Sequence, residues 1–215
     1  MKKYKVLNAN MISPRQNYQY EIGKQYHCDD FDTDTTDDCS RGFYATDIDG
    51  LPYTFRCTTE QRVFECEVSG RSVEIPPYKC RYENITLVRE VEKSEIVELA
   101  KAKENQIGYL LSEVLYPVKP LEITEHPEID REKLLRSWAS VWDSVRASVW
   151  DSVWAYISSL FPGIKKWKYI DHQKGVNPFQ PSITLWRAGY VHSYDGITWR
   201  LHAGKNAEVV LELKL

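Results

Sequence analysis

Three sets of side chains in this sequence have types and spacings that chemistry could use. The first is the acidic run from Asp29 to Asp38. Asp30, Asp32, Asp34 and Asp38 stand at the first, third, fifth and ninth places of a calcium loop of the EF-hand kind, where alternating oxygens ring a hard cation. Thr35 occupies the sixth place, which takes glycine, and Arg41 the twelfth, which takes glutamate. Those two departures favour a solvated loop over a cation site. The second set is the histidines. His192 and His202 flank a predicted hairpin with Asp195-Gly196 at its tip, so a metal or a phosphate is a candidate ligand for the pair. Two exposed strand histidines are the simpler expectation. The third set is Trp138, Trp142, Trp150 and Trp154, which form either a stacking platform for bases or sugars or a packing row. The packing row, buried in a core or at a self-association surface, is favoured.

The five cysteines, Cys28, Cys39, Cys57, Cys66 and Cys80, are odd in number and contain no Cys-x-x-Cys. Reduced thiols packed as small hydrophobes are expected. A non-local site of Cys57, Cys66, Cys80 and His27 stays open. Gly42-Phe43-Tyr44-Ala45-Thr46 followed by Glu65-Cys66-Glu67 is similar in order to ADP-ribosyltransferase-like folds. That resemblance implies that Tyr44 stacks on nicotinamide and that Glu65 or Glu67 fixes a ribose hydroxyl, where a carboxylate stabilises developing positive charge. Two glutamates two apart on a strand are equally two polar residues on one solvent face. No nucleophile elbow, phosphate-cradling glycine loop or dinucleotide fingerprint occurs.

The elements that must position these residues give an α+β fold. Residues 1–91 form a β-rich module, with short β-prone runs at 4–7, 19–22 and 43–46 and alternating runs at 62–68 and 84–90. Residues 92–129 hold a helix over 94–116, capped by Ser94 and stopped by Pro117, and then an extended linker. Residues 130–215 begin with a second helix, capped by Asp130 and ending before Pro162-Gly163. It carries tandem tetrads, Ser140-Val141-Trp142-Asp143, Ser144-Val145-Arg146-Ala147, Ser148-Val149-Trp150-Asp151 and Ser152-Val153-Trp154-Ala155. Each tetrad drifts by about 40° on an ideal helix, so the valine and tryptophan rows cover roughly half to two-thirds of the circumference. A helix of that kind is sandwiched by its own chain or packs on another copy. Strands at 187–194 and 197–202, and one from Glu208 to Leu215 with Val209, Leu211, Leu213 and Leu215 on one face, complete a meander for that helix to cover.

Three stretches together resemble a family of uncharacterised bacteriophage and prophage proteins. They are Tyr20-Glu21-Ile22-Gly23-Lys24-Gln25-Tyr26 with Cys39-Ser40-Arg41-Gly42-Phe43-Tyr44-Ala45, the Ser-Val-x-x array, and Leu185-Trp186 through Gly189-Tyr190-Val191 to Ser193-Tyr194-Asp195-Gly196-x-Thr198-Trp199-Arg200-Leu201-His202. The family pattern has histidine where this chain has Tyr44, and the acidic run 29–38 looks inserted. The resemblance implies origin and organisation and no chemistry.

Composition narrows the function classes. A net charge of -3 over 215 residues argues against a dedicated nucleic-acid binder, although Lys165, Lys166 and Lys168 form a local basic patch. With 42% hydrophobic residues the chain builds a core, yet no apolar run approaches the ~20 residues of a membrane span. No apolar segment of signal-peptide length follows the basic Met1-Lys2-Lys3, so the cytoplasm of a bacterial host is the expected compartment. The expectation is a non-catalytic accessory protein without a cofactor. Its expected partner is a host or phage protein, with counter-defence as the candidate role, and the tryptophan row makes a homo-oligomer a candidate. The alternatives are an ADP-ribosyltransferase-like nucleotide binder and a protein that sequesters a small signalling nucleotide.

Overall fold

A computed structural model describes residues 2–37, 39–55, 60–145, 151–167, 170 and 172–214, with the side chains of 142–145 and 151–155 outside the description. The described residues divide into two compact units. One comprises Met1–Ile107 with Val114–Tyr116, the other Gly108–Glu113 with Pro117–Leu215. Both contain antiparallel sheet and helix, so the chain is α+β.

The first unit is built on a long hairpin, β4 (Gln61–Ile75) and β5 (Lys79–Glu90). Strand β1 (Lys3–Asn8) pairs with the first part of β4. The far edge of β5 is shared end to end by β3 (Phe43–Ala45) at residues 80–82 and β2 (Gln25–His27) at residues 84–86. Beyond β3 the chain returns to β1 through a reciprocal bridge, Tyr4 N to Thr46 O at 2.8 Å and Thr46 N to Tyr4 O at 2.9 Å. The sheet therefore curls until its first and last strands meet. Leu7, Tyr20, Phe43, Phe64, Ile85 and Leu87 fill the inside. The run 19–22 makes only isolated bridges, because Gly23 at φ 79° turns the chain there and the strand forms at β2 instead.

The helix expected over 94–116 is two helices. Helix α1 (Lys93–Ile107) starts one residue before Ser94 and ends where Gly108 adopts φ 79°, a conformation that terminates helices. Helix α2 (Leu111–Leu115) follows and stops ahead of Pro117.

In the second unit, α3 (Arg131–Val145) starts where Asp130 Oδ1 accepts the Lys133 N–H at 2.9 Å, the cap expected from sequence. Helix α4 (Asp151–Leu160) ends before Pro162. A further helix, α5 (Gln180–Arg187), precedes the strand expected over 187–194 and ends at its first residue. The strand itself, β6 (Val191–Tyr194), pairs with β7 (Thr198–Ala203), and β7 with β8 (Glu208–Lys214). Trp138 and Leu135 of α3, Phe179 before α5, Ile183 and Leu185 of α5, and Trp199 and Leu201 of β7 form one core. Leu211 and Leu213 pack against it, but Val209 is half exposed. A register shift after Leu201 places Val209 opposite His202 and turns it to the outer face. Among the described residues no helix is long and apolar enough to cross a membrane.

Candidate functional site

Strand β1 alternates, so Lys5 and Leu7 share the inward face while Tyr4 and Val6 point away. Lys5 is therefore drawn into an aromatic interior. Only 5% of it is exposed; its Nζ donates to Tyr44 O at 2.9 Å and lies 4.8 Å from the Tyr20 ring centroid. Burial, with Lys79 adding repulsion, lowers the Lys5 pKa to about 8, and the nearby Cys66 opposes the shift. Lys5 contributes to a cavity of about 370 Å³ in the first unit.

The other walls come from separate elements. The loop after β1 supplies Ser13, Arg15 and Gln16; β3 supplies Tyr44; the turn before β4 supplies Tyr53; the start of β5 supplies Tyr78 and Lys79. Tyr53 and Tyr78 stack at 3.5 Å with an interplanar angle of 4°. Lys79 Nζ lies 4.6 Å from the Tyr44 ring centroid. Arg15 Nη1 donates to Cys39 Sγ at 3.4 Å. The charged residues lining the cavity are Lys5, Arg15 and Lys79, and no aspartate, glutamate or histidine is among the described residues that line it. In a partly dehydrated space, cationic side chains attract anions.

One wall is shaped by a buried cation. Arg81 is fully buried, and its guanidinium donates to Asp32 O and Asp34 O at 2.8 Å each, to Asp37 O at 2.6 Å and to the Tyr44 hydroxyl at 2.8 Å. The Tyr44 hydroxyl donates in turn to Ser40 O at 3.0 Å. Burial raises the Tyr44 pKa, against the pull of Arg81. Gly42 adopts φ 134°, and a Cβ there would meet Arg81 Cγ at 2.6 Å, so the loop closes only over glycine.

In this geometry the described oxygens of the acidic run are engaged by protein donors. The carbonyls that face inward are taken by Arg81. The carboxylates turn to the loop's own donors: Asp32 to Asp34 N and Ser40 Oγ, Asp34 to Thr36 N and Oγ1. Asp30 lies 3.5 Å from Arg41, and Asp38 is outside the described residues. No three potential metal ligands gather among the described residues, and Cys57 of the sulfur-rich alternative is also outside them.

The remaining candidates are not brought together. Tyr44 lines the cavity, whereas Glu65 and Glu67 line a separate, more polar depression of about 550 Å³ with Lys2, Gln25 and Asn84. Glu65 is engaged by Arg89 at 2.7 Å and by Lys2 at 3.2 Å. His192 stands opposite Leu201 and faces the core, where its Nε2 is 2.5 Å from Ser182 Oγ. His202 stands opposite Val191 and faces outward, with Nε2 2.8 Å from Ser193 Oγ and Nδ1 2.9 Å from Ala207 O. The pleat thus separates the two histidines onto opposite faces. Trp138 is 2% exposed and packs 5.8 Å from Phe179. The side chains of Trp142 and Trp154 and all of Trp150 lie outside the described residues, as does Lys168 of the basic patch.

Sequence reasoning passed over Lys5, Arg15, Lys79, Tyr53 and Tyr78. The one available signal was a lysine in phase with Leu7 inside the run Tyr4-Lys5-Val6-Leu7.

Residues 1–99 match the family model described as Domain of unknown function (DUF7666). That span contains, among the described residues, every strand of the first sheet and every residue lining the cavity. No curated protein and no solved structure matches the chain.

Proposed function

We propose that the N-terminal unit binds a small phosphorylated ligand bearing a planar ring, of the nucleotide class, and holds it without turnover. The observation that carries this reading is a cavity whose charged lining residues, among those described, are all cationic, beside a stacked tyrosine pair. The cations supply the anion subsite, and the tyrosine face supplies an apolar surface on which a base can stack. A volume of about 370 Å³ suits a mononucleotide-sized molecule. In this reading the protein is a non-catalytic accessory protein of phage origin that acts in the host cytoplasm by sequestering a ligand.

Thermal unfolding in the presence of 5′-mononucleotides tests it. A ligand at about a hundred times its Kd stabilises the folded state by roughly 2.7 kcal/mol, a rise in Tm of about 5 °C or more for a chain of this size. Lys79→Ala should abolish the rise. Unchanged melting with every nucleotide and with inorganic phosphate would refute the reading.

A further inference from the structure

The C-terminal sheet ends in an open strand. Strand β8 pairs with β7 along one side, and no described backbone group bonds to its other side. The register shift beside Leu201 and His202 places a bulge at Val209-Val210, so the regular part of the open edge begins at Leu211. From there the side chains alternate. Leu211 and Leu213 pack against the core, while Glu212 lies with Arg200 on the outer face and Lys214 shares that face.

The outer face carries a row of alternating charge that runs to this edge. Asp195 holds Arg200 Nη1 at 2.5 Å, and Glu212 takes Arg200 Nε at 2.7 Å. The next place in the row lies across the open edge. Lys214, exposed and opposite Thr198, has no acidic partner among the described residues.

We infer that β8 pairs antiparallel with β8 of a second copy, about a two-fold axis at Leu213, joining two three-stranded sheets into one. Opposite residues of an antiparallel ladder turn their N–H and C=O groups alike, so such a ladder is centred on a residue. Centring it on Leu211 runs it through the bulge on both sides. Centring it on Glu212 or Lys214 sets a charge against its own copy, which is destabilising. Centring it on Leu213 places Glu212 opposite Lys214 of the second copy and Lys214 opposite its Glu212. The row then continues from Asp195, Arg200 and Glu212 to a lysine in both directions. Leu213 meets its own copy on the core face, so the apolar surface is continuous across the junction. An edge lysine guards a strand against indiscriminate pairing, and here it admits a strand that sets an acid opposite it. The regular ladder is short, so the dimer is a weak one, in the micromolar to millimolar range.

Sedimentation equilibrium of the full chain from about 10 µM to about 1 mM at low salt tests this inference. The wild type should pass from monomer to dimer across that range. Lys214→Glu makes both positions acidic and Glu212→Lys makes both basic, and each should weaken self-association about tenfold or more. An equimolar mixture of the two variants should recover the dimer, because acid then faces base at both positions; recovery also shows that both variants are folded. A wild type that stays monomeric, a dimer indifferent to both variants, or a mixture that associates no better than its components overturns the inference. None of these outcomes bears on the ligand site of the first unit.

Discussion

His192 shows how burial moves a titratable residue out of the neutral range. It is buried beside Ser182 and Trp138, its Nδ1 has no described partner, and burial lowers its pKa to about 4. The unfolded chain therefore takes up a proton near pH 6.5 that the folded chain refuses until about pH 4. Between those values the unfolded state binds more protons, so stability falls as pH falls. The full loss is about 3 kcal/mol. Chemical denaturation of the wild type and of His192→Leu across that range should give curves that converge or cross toward acid pH; parallel curves would count against the linkage. Arg81 makes the complementary point. Among the described residues no carboxylate pairs with its buried charge, yet four acceptors satisfy it, so it acts as a fixed centre for the acidic loop.

At the scale of elements, local signals were readable where one side chain decides one turn. Asp130 caps α3, and Asp195 accepts the Ile197 and Thr198 N–H groups to form the tight turn that Asp-Gly announced. Helix α5 was not anticipated: it is only eight residues long, and Ile183 and Leu185 are held by packing into the core with Trp138 and Trp199. The break at Gly108 was missed because the apolar spacing continues across it. The α3–α5–sheet core depends most on Trp138, whose replacement by alanine should lower stability by about 3–5 kcal/mol in urea denaturation. A loss under 1 kcal/mol would show that the tryptophan row is not a packing row at this position. The cavity was illegible for a different reason: Lys5 and Lys79 are distant in sequence and are brought to it through the bridge of Tyr4 to Thr46 and the pairing of β3 with the start of β5.

At the scale of the whole molecule, the first unit reaches beyond α1 to claim Tyr116. That ring lies 5.5 Å from Phe55 and beneath Lys93 at 4.8 Å. A fragment of residues 1–116 should be more stable than one of residues 1–107 by about 1–2 kcal/mol, read as a higher melting temperature. Equal melting would make the Tyr116 contacts energetically idle. The chain leaves the first unit at Gly108, comes back for Val114–Tyr116 and departs again at Pro117. No single scission therefore yields two intact halves: a nick after 107 hands three residues to the wrong fragment, and one after 116 hands over six. Gene-splitting or protease trimming will always leave one partner with a borrowed splint and the other with a gap.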